Sequence, residues 1–128
     1  MAINFLQVFD QCWFRYWMEV REGNTHTSNN APYVIDKIFS QLPRAMHRYL
    51  RADSGYCNHE IMQSCQQRNI DFVITMRANM YEPLLGRVSR WHVVKRSSFR
   101  GRECEIGSCV YHPLGFRKSM RVVFMRAK

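Results

Sequence analysis

"LRADSGYCNHEIMQSCQQRNIDFVI", residues 50–74, carries the alternation on which the fold turns. A short apolar segment stops at Asp53, and Ser54-Gly55 supplies turn chemistry. Residues 58–68 then read as a helix with Ile61, Met62 and Cys65 facing inward and Asn69 as its C-terminal cap. The run IDFVITM, residues 70–76, is nearly continuous in apolar side chains. Such a run fits a strand covered on both faces, as in a parallel sheet. The carboxylate between strand and helix has two readings. Functional residues gather at the C-terminal ends of strands in open α/β sheets, and a carboxylate there can ligate Mg²⁺. Aspartate also commonly closes the turn before a helix. Position alone does not choose between them.

Outward from this segment the alternation continues. Residues 4–8 and 12–20 read as two antiparallel strands with a turn near Asp10-Gln11, the second rich in Trp13, Phe14, Tyr16 and Trp17. Residues 21–30 are polar, with a Gly23-Asn24 turn. A helix follows, for which Ser28, Asn29 and Asn30 offer N-caps, with Pro32 in its first turn. Val34, Ile35, Ile38, Phe39 and Leu42 form one helical stripe, and Pro43 stops it. Residues 46–52 read as the strand that ends at Asp53, and residues 79–85 as a third, shorter helix. From Arg87 the chain becomes β-rich, with strands at 91–95, 103–111 and 120–125 punctuated by Gly101, Gly107, Pro113 and Gly115. Strands alternating with helices argue for an α/β fold, with a change of character between residues 86 and 87.

The charge is the strongest bulk signal. Nineteen Lys and Arg oppose ten Asp and Glu, and most of the basic residues are Arg, which suits bidentate contact with phosphate. A balance of +9 favours a polyanion, and nucleic acid above all. Arg87, Arg90, Lys95, Arg96, Arg100 and Arg102 follow one another with no acid among them. They would touch DNA phosphates or form the solvated face of a β-ribbon. No apolar run spans a bilayer and no signal peptide is visible, so a soluble cytoplasmic protein is the expectation. Five cysteines at irregular spacing fit reduced thiols better than a disulfide framework. Cys104, Cys109 and His112 are too loosely spaced for a usual structural zinc site. Trp13, Trp17 and Trp91 could stack on bases, but core packing is the preferred role.

A resemblance adds to this reading. RADSGYCNHEIMQSCQQRNIDFVITMRAN, residues 51–79, resembles the segment around the second catalytic aspartate of DDE transposases from bacterial insertion sequences. Upstream, REGNTHTSNNA is similar to that family's Arg-x-Gly-Asn-x-His-x-Ser-Asn signature, matched here by Arg21, Gly23, Asn24, His26, Ser28 and Asn29. The tail YHPLGFRKSMRVVFMRAK is similar to the strand segment before the family's last catalytic region. The resemblance implies an RNase H-like fold, DNA as partner, and a two-metal mechanism in which three carboxylates hold Mg²⁺. Asp53 would be the second carboxylate and a metal ligand, with Ser54 and Gly55 shaping its turn.

The family places its first aspartate on a strand before the two N-terminal strands read here, and its final glutamate on a helix beyond the tail. Asp10 falls at the hairpin turn, and Glu60 on the solvent side of its helix, so neither is expected to substitute. The expectation is therefore the middle of a transposase: a partial RNase H-like core over 1–86 and a basic β-rich insertion over 87–128. Alone it would be inactive, or a non-catalytic nucleic-acid-binding relic. The strand missing from this picture is central in the family's sheet. An open sheet edge, a rearrangement, or pairing with a second copy follows.

Overall fold

The computed structural model describes residues 2–99 and 102–128, with residues 95–99 described by their backbone alone. The chain is α/β and forms two compact units, Met1–Met76 and Arg77–Lys128. No helix among the described residues is long and apolar enough to cross a membrane.

In the first unit, β1 (Ile3–Phe9) and β2 (Arg15–Glu22) pair as an antiparallel hairpin with an irregularity between Val8 and Phe9. Asp10 organises its turn by accepting from the amides of Cys12, at 2.7 Å, and Phe14, at 2.9 Å. Its carboxylate is thereby a turn element. Helix α1 (Ala31–Gln41) follows, then β3 (Tyr49–Ala52), α2 (His59–Gln67) and β4 (Asp71–Ile74). β3 and β4 pair in parallel, Leu50 beside Phe72 and Ala52 beside Ile74. A parallel pair requires a crossover, and α2 provides it.

Helix α1 is the centre of the unit because its stripe is wide enough to serve two partners. Ala31, Ile35 and Phe39 meet Ile61 and Cys65 of α2, Ile70, and the Leu50, Phe72 and Ile74 face of the strand pair. Val34 and Ile38 instead meet Leu6 of β1, with Val8 and Trp17 packed alongside. The two strand pairs lie on neighbouring stripes of one helix without hydrogen-bonding to each other.

Several local readings hold. Asn69 takes the left-handed conformation (φ 54°) that ends α2, and the helix begins one residue later than read, with Asn58 outside it as the cap, accepting from the Ile61 amide at 2.9 Å. Others need correction. β3 begins at Tyr49 rather than at residue 46, because Pro43 starts a turn closed by the Met46 amide. Asn30 stands at the N-cap of α1 in a left-handed conformation (φ 65°), makes no cap bond, and donates its side chain to Glu19. β4 is covered on one face alone: Val73 is 72% exposed, and Asp71 beside it pairs with His47 at 2.8 Å. Apolar run length does not reveal whether a chain carries anything to cover the second face. Trp17 is packed as expected, whereas Trp13 stands 80% exposed in the hairpin turn.

The second unit has helix α3 (Ala78–Leu85) and a three-stranded antiparallel sheet of β5 (Trp91–Phe99), β6 (Arg102–Tyr111) and β7 (Met120–Ala127), with β6 central. Tyr81 of α3 stands edge-on to Phe124 of β7, 6.2 Å between centroids. A side chain at Gly107 would collide with Val88 and come within 3.0 Å of Trp91, so the glycine lets this segment lie against β6. Cys104 and Cys109 are five residues apart on one strand, which places them on opposite faces and parts the pair that a zinc site would need.

Two outcomes follow. Ile61 is fully buried, and Ile61→Ala is expected to destabilise the protein by ~2–5 kcal/mol in chemical denaturation. Cys12 is the exposed thiol, while Cys57, Cys65 and Cys104 are buried. Burial pushes the Cys65 thiol up from 9.0 to about 11, against the pull of Arg68. In a thiol-reagent titration of native protein, Cys12 reacts first and the three buried thiols react on unfolding. Cys65 stabilises the fold below pH 9.0, and that contribution is lost as pH rises towards about 11.

Candidate functional site

The candidate site is built where the loop after β2 meets the turn after β3. Alternate residues of the hairpin face inward, and three of them reach the loop. Asn4 of β1 donates to the Thr25 carbonyl at 2.9 Å. Arg21, directly opposite Asn4 in the ladder, donates to the carbonyls of Asn29 at 2.7 Å and Thr27 at 3.2 Å. Glu19 accepts from the Asn30 side chain at 2.9 Å. Carbonyls 25, 27 and 29 are thus held in turn, so a segment with no ladder of its own acquires a fixed path. A guanidinium suits this work because its planar fork reaches two acceptors at once.

Gly23 is needed at the start of the loop. Its amide donates to the Ala2 carbonyl at 3.0 Å, and an added Cβ would lie 2.6 Å from the Ala2 carbonyl carbon. Asn24 lies beside it at the exposed start of the loop. His26 and Ser28 form a local pair: Nδ1 lies 2.9 Å from the Ser28 hydroxyl and 3.3 Å from its amide. The amide contact has Nδ1 accept, which also lets the Ser28 hydroxyl donate to it.

The other wall is the turn at Asp53. Its Oδ1 accepts from the Gly55 amide at 2.8 Å, and residues 54–56 form a single 3-10 turn. Asp53 is therefore a turn cap at the C-terminal end of a parallel strand, and it remains exposed. Gly55 faces the loop. An added Cβ would come within 2.8 Å of the Thr27 methyl and 3.0 Å of the Asp53 Oδ1. Ser54 opens the turn, and its carbonyl receives the Cys57 amide at 3.2 Å.

Tyr56 joins the walls. Burial raises its phenol above 10.0, the Arg21 guanidinium and its hydrogen bond pull it down, and the Asp53 charge adds to the rise. Arg21 thus touches the loop carbonyls and the tyrosine three residues beyond Asp53. Its Nε is buried and has no hydrogen-bond partner among the described residues, while the side chain as a whole is partly buried at the junction.

The fold sets the loop against the turn through two contacts, Arg21 with Tyr56 and Thr27 with Gly55, next to Asp53 and Ser54. His26, Ser28 and Asn29 lie on the same loop, and Gly23 stands at its start against Ala2. An open concavity of about 450 Å³ is lined by His26, Ser28 and Asn29 of the loop and the exposed Glu60 of α2, among others, and not by Asp53. Asn4, Thr27 and Tyr56 are parts of the junction that sequence reading passed over. Asn4 reaches the Thr25 carbonyl, Thr27 accepts from Arg21 through its own carbonyl, and Tyr56 meets the Arg21 side chain, all contacts between distant segments that no local pattern announces. Among the described residues, no group of three or more His, Cys, Asp and Glu could hold a metal ion. Asp53 alone does not make a magnesium site.

The basic residues lie in the second unit. Arg87 and Arg90 are exposed in the segment between α3 and β5, and Arg102 is exposed at the start of β6. Lys95 and Arg96 fall on β5, where the backbone alone is described, and Arg100 lies outside the described residues.

Arg21→Lys tests the junction. Lysine keeps the charge and loses the fork, so the variant is expected to lose ~1.5–3 kcal/mol of stability in urea denaturation. Unchanged stability would mean that the fork does not hold the loop.

A family model, transposase DDE domain group 1, matches residues 5–127. No curated protein and no solved structure matches the chain. The match spans both units, including the loop and turn just described, and the chain belongs to the transposase DDE domain family.

Proposed function

We propose that this chain is the middle portion of the catalytic domain of an insertion-sequence transposase. The intact parent would cut DNA and join strands with Mg²⁺ held by three carboxylates, of which Asp53 is the second. The observation that carries this reading is the pinning of the Arg21–Asn29 loop against the Asp53–Tyr56 turn at the C-terminal end of a parallel strand. That is where an open α/β sheet presents its chemistry. The order of a hairpin, then α1, β3, α2 and β4, supports a partial RNase H-like arrangement over 1–86, with 87–128 as a basic β-rich insertion.

Asp53 is the one residue of this chain that matches a catalytic carboxylate of the family. One carboxylate does not hold a pair of metal ions, and the chain by itself is inactive. A second reading is favoured by the committed Oδ1 of Asp53: a transposase-derived protein that binds nucleic acid without catalysis. In both readings the partner is DNA, met by Arg87, Arg90, Lys95, Arg96, Arg100 and Arg102 through phosphate contacts.

The reading includes association through a sheet edge. The carbonyls of Arg48 and Ala52 accept from Asp71 and Thr75, so the backbone groups of Tyr49 and Arg51 alternate towards the other edge of β3. No described strand pairs there, and such an edge accepts a strand from a second copy.

Two measurements test the proposal. Incubated with Mg²⁺ and supercoiled DNA, the purified chain is expected to leave the DNA intact. Nicking that Asp53→Ala abolishes would contradict inactivity. The logarithm of the DNA affinity should fall linearly with the logarithm of salt concentration. Replacing Arg87, Arg90 and Arg102 by Ala should reduce that slope by about 3. An unchanged slope would place DNA elsewhere.

A further inference from the structure

The β1–β2 hairpin carries apolar side chains on both faces. Its inner face meets α1 through Leu6, Val8 and Trp17. Its outer face sets Ile3 opposite Glu22, Phe5 opposite Val20, Gln7 opposite Met18 and Phe9 opposite Arg15. The apolar members of this face are between 38% and 59% exposed. Trp13 extends it, edge-on to Phe9 with 5.9 Å between ring centroids. An antiparallel sheet with one solvated face ordinarily shows polar side chains there.

The size and charge of this face point to a particular occupant. Six side chains of this kind offer roughly 600 Å² per copy, so two copies would bury roughly 1,200 Å², the lower bound for specific stable interfaces. A contiguous apolar patch of this extent is at the limit of what monomers expose. Its two ends carry opposite charge, Arg15 near the turn and Glu22 at the open end. A two-fold axis lying in the contact plane and perpendicular to the strands sets each Arg15 against the partner's Glu22. An axis parallel to the strands would set like charges together. The face is therefore complementary to itself in one orientation.

We propose that this chain forms a homodimer through the outer face of the β1–β2 hairpin, the two hairpins packed face to face with strands antiparallel. The contact is isologous, and the sheets stand about 10 Å apart. It uses the hairpin face where the transposase reading offers the edge of β3; the two are alternative routes to a dimer, which the variants below tell apart.

Sedimentation equilibrium of the 128-residue chain tests it, with an expected mass of twice 15.3 kDa. Val20→Glu places a charge in the centre of the contact and is expected to weaken association at least about tenfold, with the circular dichroism of the fold retained. Should that variant not fold, Arg15→Glu carries the test: it weakens the dimer, and adding Glu22→Arg restores it. A monomeric wild-type chain overturns the proposal. So does a dimer indifferent to Val20→Glu and Arg15→Glu. A dimer lost with Arg51→Pro, which removes an edge donor of β3, but kept with Val20→Glu would assign association to the edge and overturn the face.

Discussion

The candidate site depends on one partly buried guanidinium. Arg21 spends two donors on the carbonyls of Thr27 and Asn29 and stands against the phenol of Tyr56. The loop it holds has no ladder to fix it, and the turn it meets is a single 3-10 turn. Each is weak alone. A charged, forked donor at the junction makes their positions interdependent, and removing it would take the side-chain donor from two carbonyls, those of Thr27 and Asn29. Asn4 and Glu19 work in the same sense from the same face of the hairpin. The hairpin is in this way a platform for the loop, and helix α1, which packs on that platform and on the β3–β4 pair, carries the loop to Asp53.

Much of the scaffold was legible because it is local. The stripe of α1 announced itself by period, Asn58 and Asn69 bounded α2, and the strand–turn–helix–strand around Asp53 required a parallel pair. The junction was legible only through resemblance. Composition shows that residues 21–30 are polar, but it does not show that carbonyls 25, 27 and 29 are held one by one by side chains of the hairpin. Asn30 illustrates the difference: its type suggests a helix cap, yet its side chain is engaged by Glu19. The second face of β4 illustrates another limit. An apolar run says that a strand can be covered, while Val73 and Tyr49 stand open in this chain.

The open surfaces share a cause. A chain that forms two separate strand pairs on one helix leaves edges and faces without partners. The outer face of β1–β2 and the edge of β3 are both of this kind, and both invite another chain. The basic second unit has the opposite character. Its exposed arginines favour a polyanion, and repulsion among like charges discourages contact between copies there. Apolar association through the first unit and phosphate contact through the second are compatible for that reason.

The central claim is that the loop and the Asp53 turn form one unit held by Arg21. Native-state hydrogen exchange measures this most directly. The account predicts that the amides of Asn29 and Ala31, at the end of the loop, and of Gly55, Tyr56 and Cys57, in the turn, open together with the same free energy, well above that of a fraying loop. Loop amides that exchange freely while the turn stays protected would contradict it, and Asp53 would then be an isolated cap at the end of a strand.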